Sequence, residues 1–308
     1  MKGLTSKVLK FILFVLFIIL ADKFIGGILE AVYKSSDDLI ISKIRYTLNK
    51  TYEDILIFGS SRAQHHYVSD TISKVTGRSV YNCGIGGQGL TFSFIQISET
   101  LRRYNPQAII LDVSPNIRFA KDSDPRLKIL GPYYHDKALI RRILAENGPE
   151  FERLKYASSI YPYNGMLYDL LLGLVYSSDV GSKGYIPIYG TLDTNFIPVE
   201  SSGNNHEVPS KQMDVLQEIT SLCKQHRVDF WIIVSPVYKI TKEDLKIIQD
   251  LEIFTKQQGI HFLDFSQNPD FSDHLLFKDN LHLNSRGAIK YSRDVGDSIA
   301  LSQKELSH

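Results

Sequence analysis

The stretch Asp54–Arg62 reads D-I-L-I-F-G-S-S-R: one acid and four apolar residues run straight into Gly59 and two serines. A short, isoleucine-rich apolar run ending on glycine has the pattern of a buried strand closed by a tight turn. A hydroxyl placed there sits at the carboxyl edge of a sheet, where open α/β folds put their ligand sites. Glycine and serine also serve freely as turn residues. Whether the turn carries chemistry therefore depends on what the rest of the chain brings to the same edge.

Following Arg62, residues 63–76 read as a helix closing on Gly77, and 79–82 as a second short strand. That strand enters Cys83-Gly84-Ile85-Gly86-Gly87-Gln88-Gly89, whose four glycines leave backbone N–H groups uncovered. The loop has neither the G-x-G-x-x-G spacing of a dinucleotide site nor the Lys-Ser/Thr ending of a P-loop. A helix over 90–104 and a strand over 108–113 follow, the strand ending in Ser114-Pro115-Asn116. Three strands thus end in small or polar residues, and parallel strands joined by helical crossovers place those ends on one edge.

The α/β rhythm stops between about 118 and 209. Helical patches at 137–145 and 164–176 are joined there by segments rich in Tyr, Pro, Gly and Ser, the character of an insertion or lid. Tyr161, Tyr163, Tyr168, Tyr176, Tyr185 and Tyr189 suit stacking on sugar rings and equally suit packing of an irregular segment. The rhythm resumes with a helix over 210–225, a strand over 229–234, a helix over 241–258, a strand over 260–264 and a closing helix over 285–300. The expected architecture is a three-layer α/β/α domain over 53–308, with a parallel five-stranded, flavodoxin-like sheet and an insertion at about 118–209.

Between the last strand and the last helix lies Asp279-Asn280-Leu281-His282-Leu283-Asn284-Ser285-Arg286-Gly287. An aspartate three residues before a histidine can hold one imidazole nitrogen and leave the other free as a base. Metal ligation by Asp279 and His282 lacks a third and fourth ligand at suitable spacing; a purely structural histidine is the other alternative.

At the amino terminus Lys2, Lys7 and Lys10 precede an apolar block over 11–21, broken by Asp22 and Lys23 and followed by a second block over 24–29. No small-x-small cleavage site follows, so residues 1–30 read as an uncleaved signal anchor, with Asp22 and Lys23 near its outer end; the competing reading is an amphipathic helix packed on a soluble domain. The lysines place the amino-terminal end in the cytoplasm and the remaining chain outside it. Residues 31–52 read as a juxtamembrane helix and stalk.

Composition restricts the partners. A chain of 308 residues with 43% hydrophobic and 22% charged content is globular, and a formal net charge of +1 gives no global basic field for nucleic acid. The two cysteines, Cys83 and Cys223, form no metal spacing and no disulfide framework.

Taken in order, the blocks resemble those of the SGNH (GDSL-type) hydrolase superfamily. Gly59-Ser60-Ser61 matches its G-D-S block with Ser60 in place of aspartate. Asn82 and Gly87 match the second block, Ser114-Pro115-Asn116 part of the third, and Asp279, His282, Leu283, Asn284 and Gly287 the D-x-x-H block. The resemblance implies that Ser61 is the nucleophile, His282 its general base and Asp279 the orienting carboxylate. It implies an oxyanion hole from the N–H groups of Ser61 and Gly87 and the Asn116 amide, and no cofactor. Ser60, Arg62, His65 and His66 lie close enough in sequence to line the rim. The anchor with the G-S-S opening is similar to membrane-tethered members of bacterial cell-envelope pathways, which act on acyl groups of surface polymers, often beside a membrane-bound acyltransferase. The expected function is a serine-dependent esterase or O-acyltransferase acting on an extracytoplasmic glycan or other envelope polymer. The alternative is a catalytically silent partner of such an acyltransferase.

Overall fold

The computed structural model describes residues 2–115, 125–173, 182–193 and 210–305. The chain divides into two compact units: Met1–Ser42 with Ser123–Ser178, and Lys43–Asp122 with Asp179–His308.

In the first unit, α1 (Lys2–Ser35) is one unbroken helix whose section 6–20 is wholly exposed. Tyr33, near its end, is buried at 6.0 Å from the Tyr133 ring, with a 3.0 Å bond between their hydroxyls. A helix, α2 (Leu39–Asn49), begins here and continues into the second unit. The inserted part of the first unit is built of short pieces: a 3₁₀ helix Pro125–Tyr133 and then short helices. In chain order the helices after α2 are α3 (Ser61–His66), α4 (Ser69–Thr76) and α5 (Leu90–Leu101) in the second unit, and α6 (Ala138–Asn147), α7 (Glu152–Lys155) and α8 (Leu167–Gly173) in the first. Tyr134 and Tyr156 stack at 3.6 Å, and Tyr161 donates its hydroxyl to Glu152. Of the tyrosines considered for sugar stacking, Tyr163 and Tyr185 are buried, while Tyr168 and Tyr189 are exposed. Tyr176 lies outside the described residues.

The second unit carries a five-stranded, wholly parallel sheet in the order β2-β1-β3-β4-β5. Its strands are β1 (Ile55–Gly59), β2 (Val80–Asn82), β3 (Ala108–Asp112), β4 (Asp229–Val234) and β5 (His261–Asp264). Ile55, Leu56, Ile57 and Phe58 have no exposure at all, because helices cover both faces. Leu56 and Phe58 face α5, α9 (Ser210–Gln225) and α10 (Lys242–Gln258), whereas Ile55 and Ile57 face α3, α4 and α11 (Ser285–Glu305). At about 1.5–3 kcal/mol for each such side chain, the two apolar layers fix the register of β1. Pairing of Ile57 with Asn82 and of Gly59 with Asp112 then sets three strand ends side by side.

Two local features depart from the sequence pattern. The helix expected over 63–76 is broken at Tyr67–Val68, since Asn82 Nδ2 donates to Ala63 O (2.7 Å) and Tyr67 O (2.9 Å) and Val68 N donates to Ser292 Oγ (2.7 Å). Side chains from remote segments take over backbone groups that a continuous helix would use. Within the stretch 31–52, read as a juxtamembrane helix and stalk, Ile41, Ile44 and Leu48 of α2 are buried, and Arg103 donates to the carbonyls of Thr47 and Thr51, both at 2.9 Å. A cation on the last carbonyls also suits the helix dipole.

Gly59 ends β1 at φ +137°, and a Cβ there would lie 2.7 Å from Asp112 O and 2.9 Å from Ala63 Cβ. Both the backbone conformation and the space therefore require glycine. Gly59→Ala is expected to lower stability by at least about 2 kcal/mol, read as a fall in the urea midpoint. An unchanged midpoint would contradict the tight turn.

Candidate active site

Ser61 opens α3 directly after the Gly59 turn. Its Oγ lies 2.8 Å from His282 Nε2, although 221 residues separate the two. His282 Nδ1 lies 2.9 Å from each Asp279 carboxylate oxygen. An ionised carboxylate only accepts, so Nδ1 carries the proton and Nε2 is left to accept from the Ser61 hydroxyl. Asp279 Oδ1 also accepts the N–H groups of Leu281 and His282, both at 2.9 Å, which closes the loop on its own side chain. Burial pushes the Asp279 carboxyl up, but the His282 hydrogen bond and charge and these two N–H donors outweigh it. The carboxyl is held below its ordinary value.

The loop carrying His282 is tied down on both sides. Phe277 and Leu283 form an antiparallel bridge, and Lys278 N donates to His282 O at 2.8 Å. Asn280 exchanges two 3.0 Å bonds with the backbone of Lys239, in the segment after β4. Beneath it, His66 Nε2 accepts the Leu283 N–H (3.0 Å), and His66 Nδ1 donates to Ser235 Oγ (2.9 Å). Burial, with the Arg62 charge beside it, holds the His66 imidazole well below its ordinary pKa, so the ring stays neutral and able to accept. Arg62 donates from Nε to the same Ser235 Oγ (2.9 Å) and from Nη2 to Ser235 O, and faces Asp112 at 3.8 Å. Tyr67 donates its hydroxyl to Asp112 (2.7 Å) and accepts that of Tyr291 (2.9 Å).

Of the four residues placed near the rim by sequence, Arg62 and His66 are therefore buried foundations, at 2% and 0% exposure. The reason is helical geometry: residues four apart share a face, so Ser61 and His65 look outward while Arg62 and His66 look inward. That signal was present in the sequence once α3 is started at Ser61 and not at Ala63. His65 is half-buried, with its ring 6.0 Å from that of His282; it donates from Nδ1 to Ile186 O (2.8 Å), and its Nε2 accepts from the Gln64 amide (3.1 Å). Gln64 Oε1 in turn accepts the Gly86 N–H (2.7 Å). Gly86 borders the nucleophile, since a Cβ built on it would lie 3.7 Å from Ser61 Cβ.

Gly87 N–H donates to Ser60 Oγ at 3.1 Å. Ser60 thus occupies the donor that the resemblance assigns to the oxyanion hole. Asn116 lies outside the described residues. Among the described residues no cluster of three or more His, Cys, Asp or Glu side chains is arranged to hold a metal.

Sequence reasoning missed Ser235, Gln64, Asn280 and Lys43. Lys43, on α2, is 2% exposed and donates to the carbonyls of Gly84 and of Gly184 (2.6 Å), which anchors the glycine loop from behind. Burial pushes its ammonium down to about 7. Only the fold brings a residue from the supposed stalk to this loop.

Comparison with protein-family models finds no match, and comparison with curated proteins finds none either. Among solved structures, the chain is similar to a GDSL-like lipase from Bacteroides thetaiotaomicron, with 12% identity, a TM-score of 0.41, and coverage of 86% of this chain and 98% of that one. It is similar to an acetyl xylan esterase with 13% identity, a TM-score of 0.42, and coverage of 80% and 98%. It is also similar to a protein assigned to the lipolytic G-D-S-L family, from Desulfitobacterium hafniense, with 7% identity, a TM-score of 0.43, and coverage of 80% and 98%.

Two outcomes are expected from this geometry. Asp279→Asn keeps the shape but gives His282 Nδ1 a partner that no longer demands its proton. Ester turnover should fall about 10³–10⁴-fold with little change in KM, and a fall of less than about tenfold would contradict the orienting role. Lys43, at about 7 when folded against 10.5 as its ordinary value, binds fewer protons folded than unfolded between those limits. Stability should therefore rise with pH across that window, by at most about 1.4 kcal/mol per pH unit. In Lys43→Met that rise should flatten, as read from urea midpoints at pH 7 and 9.

Proposed function

We propose that the chain is a serine-dependent acyl-ester hydrolase or O-acyltransferase, working through an acyl-enzyme on Ser61. The observation that carries this reading is the 2.8 Å contact of Ser61 Oγ with His282 Nε2, continued from Nδ1 to Asp279. A serine hydroxyl is scarcely ionised at neutral pH and needs such an adjacent base.

Ser61 Oγ attacks the acyl carbonyl while His282 Nε2 takes its proton, and the positive imidazolium is held by Asp279. Negative charge on the carbonyl oxygen is received by the Ser61 N–H and by the hydroxyl of Ser60, through which the Gly87 N–H acts. Donors aimed at such an oxygen lower the barrier by about 2.7–4 kcal/mol each. Collapse breaks the bond to the alcohol oxygen, and His282 returns the proton to that leaving group. Water then attacks the acyl-enzyme in an esterase, or a second alcohol in a transferase. His282 takes the proton of the incoming group and passes it back to Ser61 Oγ.

The substrate class we favour is an acylated extracytoplasmic glycan or other envelope polymer. Its support is the helix of 30 residues, Ser6–Ser35, that is long and apolar enough to cross a membrane. Lysines at its amino-terminal end favour a cytoplasmic start and an active site on the far side. A membrane-bound acyltransferase would be a fitting source of the acyl group.

A serine-directed fluorophosphonate should label the full-length protein and Ser60→Ala but not Ser61→Ala. Labelling that survives Ser61→Ala and is lost in Ser60→Ala would overturn the nucleophile assignment. Absence of labelling and of ester hydrolysis in the folded wild type would favour a silent assembly partner.

A further inference from the structure

Helix α1 poses a length problem. Its fully exposed section 6–20 is about 22 Å long at 1.5 Å per residue, whereas a bilayer's hydrocarbon core is about 30 Å thick. The stretch from Phe11 to Leu29, between the charges of Lys10 and Glu30, matches that thickness at about 28 Å. A span of this extent carries Asp22 and Lys23 about 10 Å inside its outer limit, where unpaired charges are costly.

Both charges are paired, and by the inserted part of the same unit. Asp22 accepts from Ser158 Oγ and from Ser159 N (2.7 Å), and Lys23 Nζ donates to Ser159 Oγ (2.8 Å). Gly26, one turn further, allows the approach: a Cβ there would lie 2.4 Å from Ser159 Cβ. The Ser158–Ser159 turn therefore sits at the depth of Asp22 to Gly26 along the helix. Leading into that turn, Leu154 N donates to Phe151 O, Ala157 N to Leu154 O and Ser158 N to Lys155 O, each at 3.1 Å. Leu154 thus lies one turn from Ser158 and Phe151 one turn earlier. Both are turned outward, at 70% and 64% exposure.

We propose that the face formed by Phe151, Leu154 and the Ser158–Ser159 turn is embedded in the lipid interface of the membrane that α1 crosses, in the leaflet where the carboxyl-terminal half of α1 emerges. The inference rests on reading α1 as a membrane span. Lipid is the occupant because the exposed apolar side chains stand within two turns of the segment that contacts α1, a helix itself apolar and uncovered over 6–20, and because the length of the span puts their neighbouring turn below the headgroups. Amphipathic segments at such a boundary reach about 5–10 Å into it. The Ser158–Ser159 turn would then shield Asp22 and Lys23, and the two apolar side chains would hold the inserted segment at a fixed depth.

The test uses full-length protein in vesicles containing lipids that carry a nitroxide near the headgroup or along the acyl chain. Phe151→Cys, Leu154→Cys and Ile18→Cys are each labelled with an environment-sensitive fluorophore; native Cys83 and Cys223 are buried. Lipid nitroxide should remove most of the fluorescence at all three positions, and aqueous iodide should remove little. Quenching by iodide and not by lipid at 151 and 154, with Ile18 still quenched by lipid, overturns the proposal and leaves the span intact. Protection from both quenchers at 151 and 154 also overturns it, since a protein would then cover the face. Loss of lipid quenching at Ile18 as well overturns the span and the proposal together.

Discussion

A buried chain of hydrogen bonds running from Arg62 through Ser235 and His66 to the Leu283 N–H holds the site together. Its members come from α3, from the end of β4 and from the loop before α11, so three segments far apart in sequence are fixed to one another below the surface. Ser61 is the immediate neighbour of Arg62, and His282 of Leu283. Fixing the inner pair therefore fixes the outer pair at 2.8 Å. An arginine almost without exposure is costly unless its charge and donors are met; Ser235 takes the Nε and Nη2 donors and Asp112 faces the charge at 3.8 Å, while Nη1 has no hydrogen-bond partner among the described residues. Neutral His66 is the hinge of the arrangement, because only an unprotonated Nε2 can accept from Leu283.

The sheet explains why such a chain is possible. A wholly parallel sheet returns every strand to the same edge, and the β1 register aligns Gly59 with Asp112 and Ile57 with Asn82. Small residues at these ends let the glycine loop close on Ser61 from one side while Lys43 and Gln64 hold it from behind. Ser60 stands where the resembled family carries aspartate. A hydroxyl can accept from Gly87 and also donate, whereas an ionised carboxylate only accepts.

Much of this was legible in the sequence. The strands announced themselves because both faces of the sheet are covered, which makes each strand a short continuous apolar run. Ser61, Asp279 and His282 were legible because the residue types and their local spacing are set by chemistry that acts over a few residues. Local signals could not reveal what remote side chains decide: the break at Tyr67 is made by Asn82 and Ser292, and the burial of Lys43 depends on loops 41 and 141 residues away. Arg62 and His66 were misplaced for a different reason: nearness to Ser61 in sequence was taken as nearness to the rim, whereas the helix turns residues 62 and 66 to its buried face. The insertion resisted because its short pieces pack on α1, and neither partner has a period that identifies the other.

The central claim is that Ser61 forms a covalent bond to the acyl group during turnover. It is tested most directly by rapid acid quenching of the enzyme with an activated acyl ester, followed by peptide mass spectrometry. The account predicts one acyl mass on the peptide containing Ser61, located at Ser61 by fragmentation and absent in Ser61→Ala. Acylation located at Ser60, or ester turnover that persists in Ser61→Ala at the wild-type rate, would contradict it.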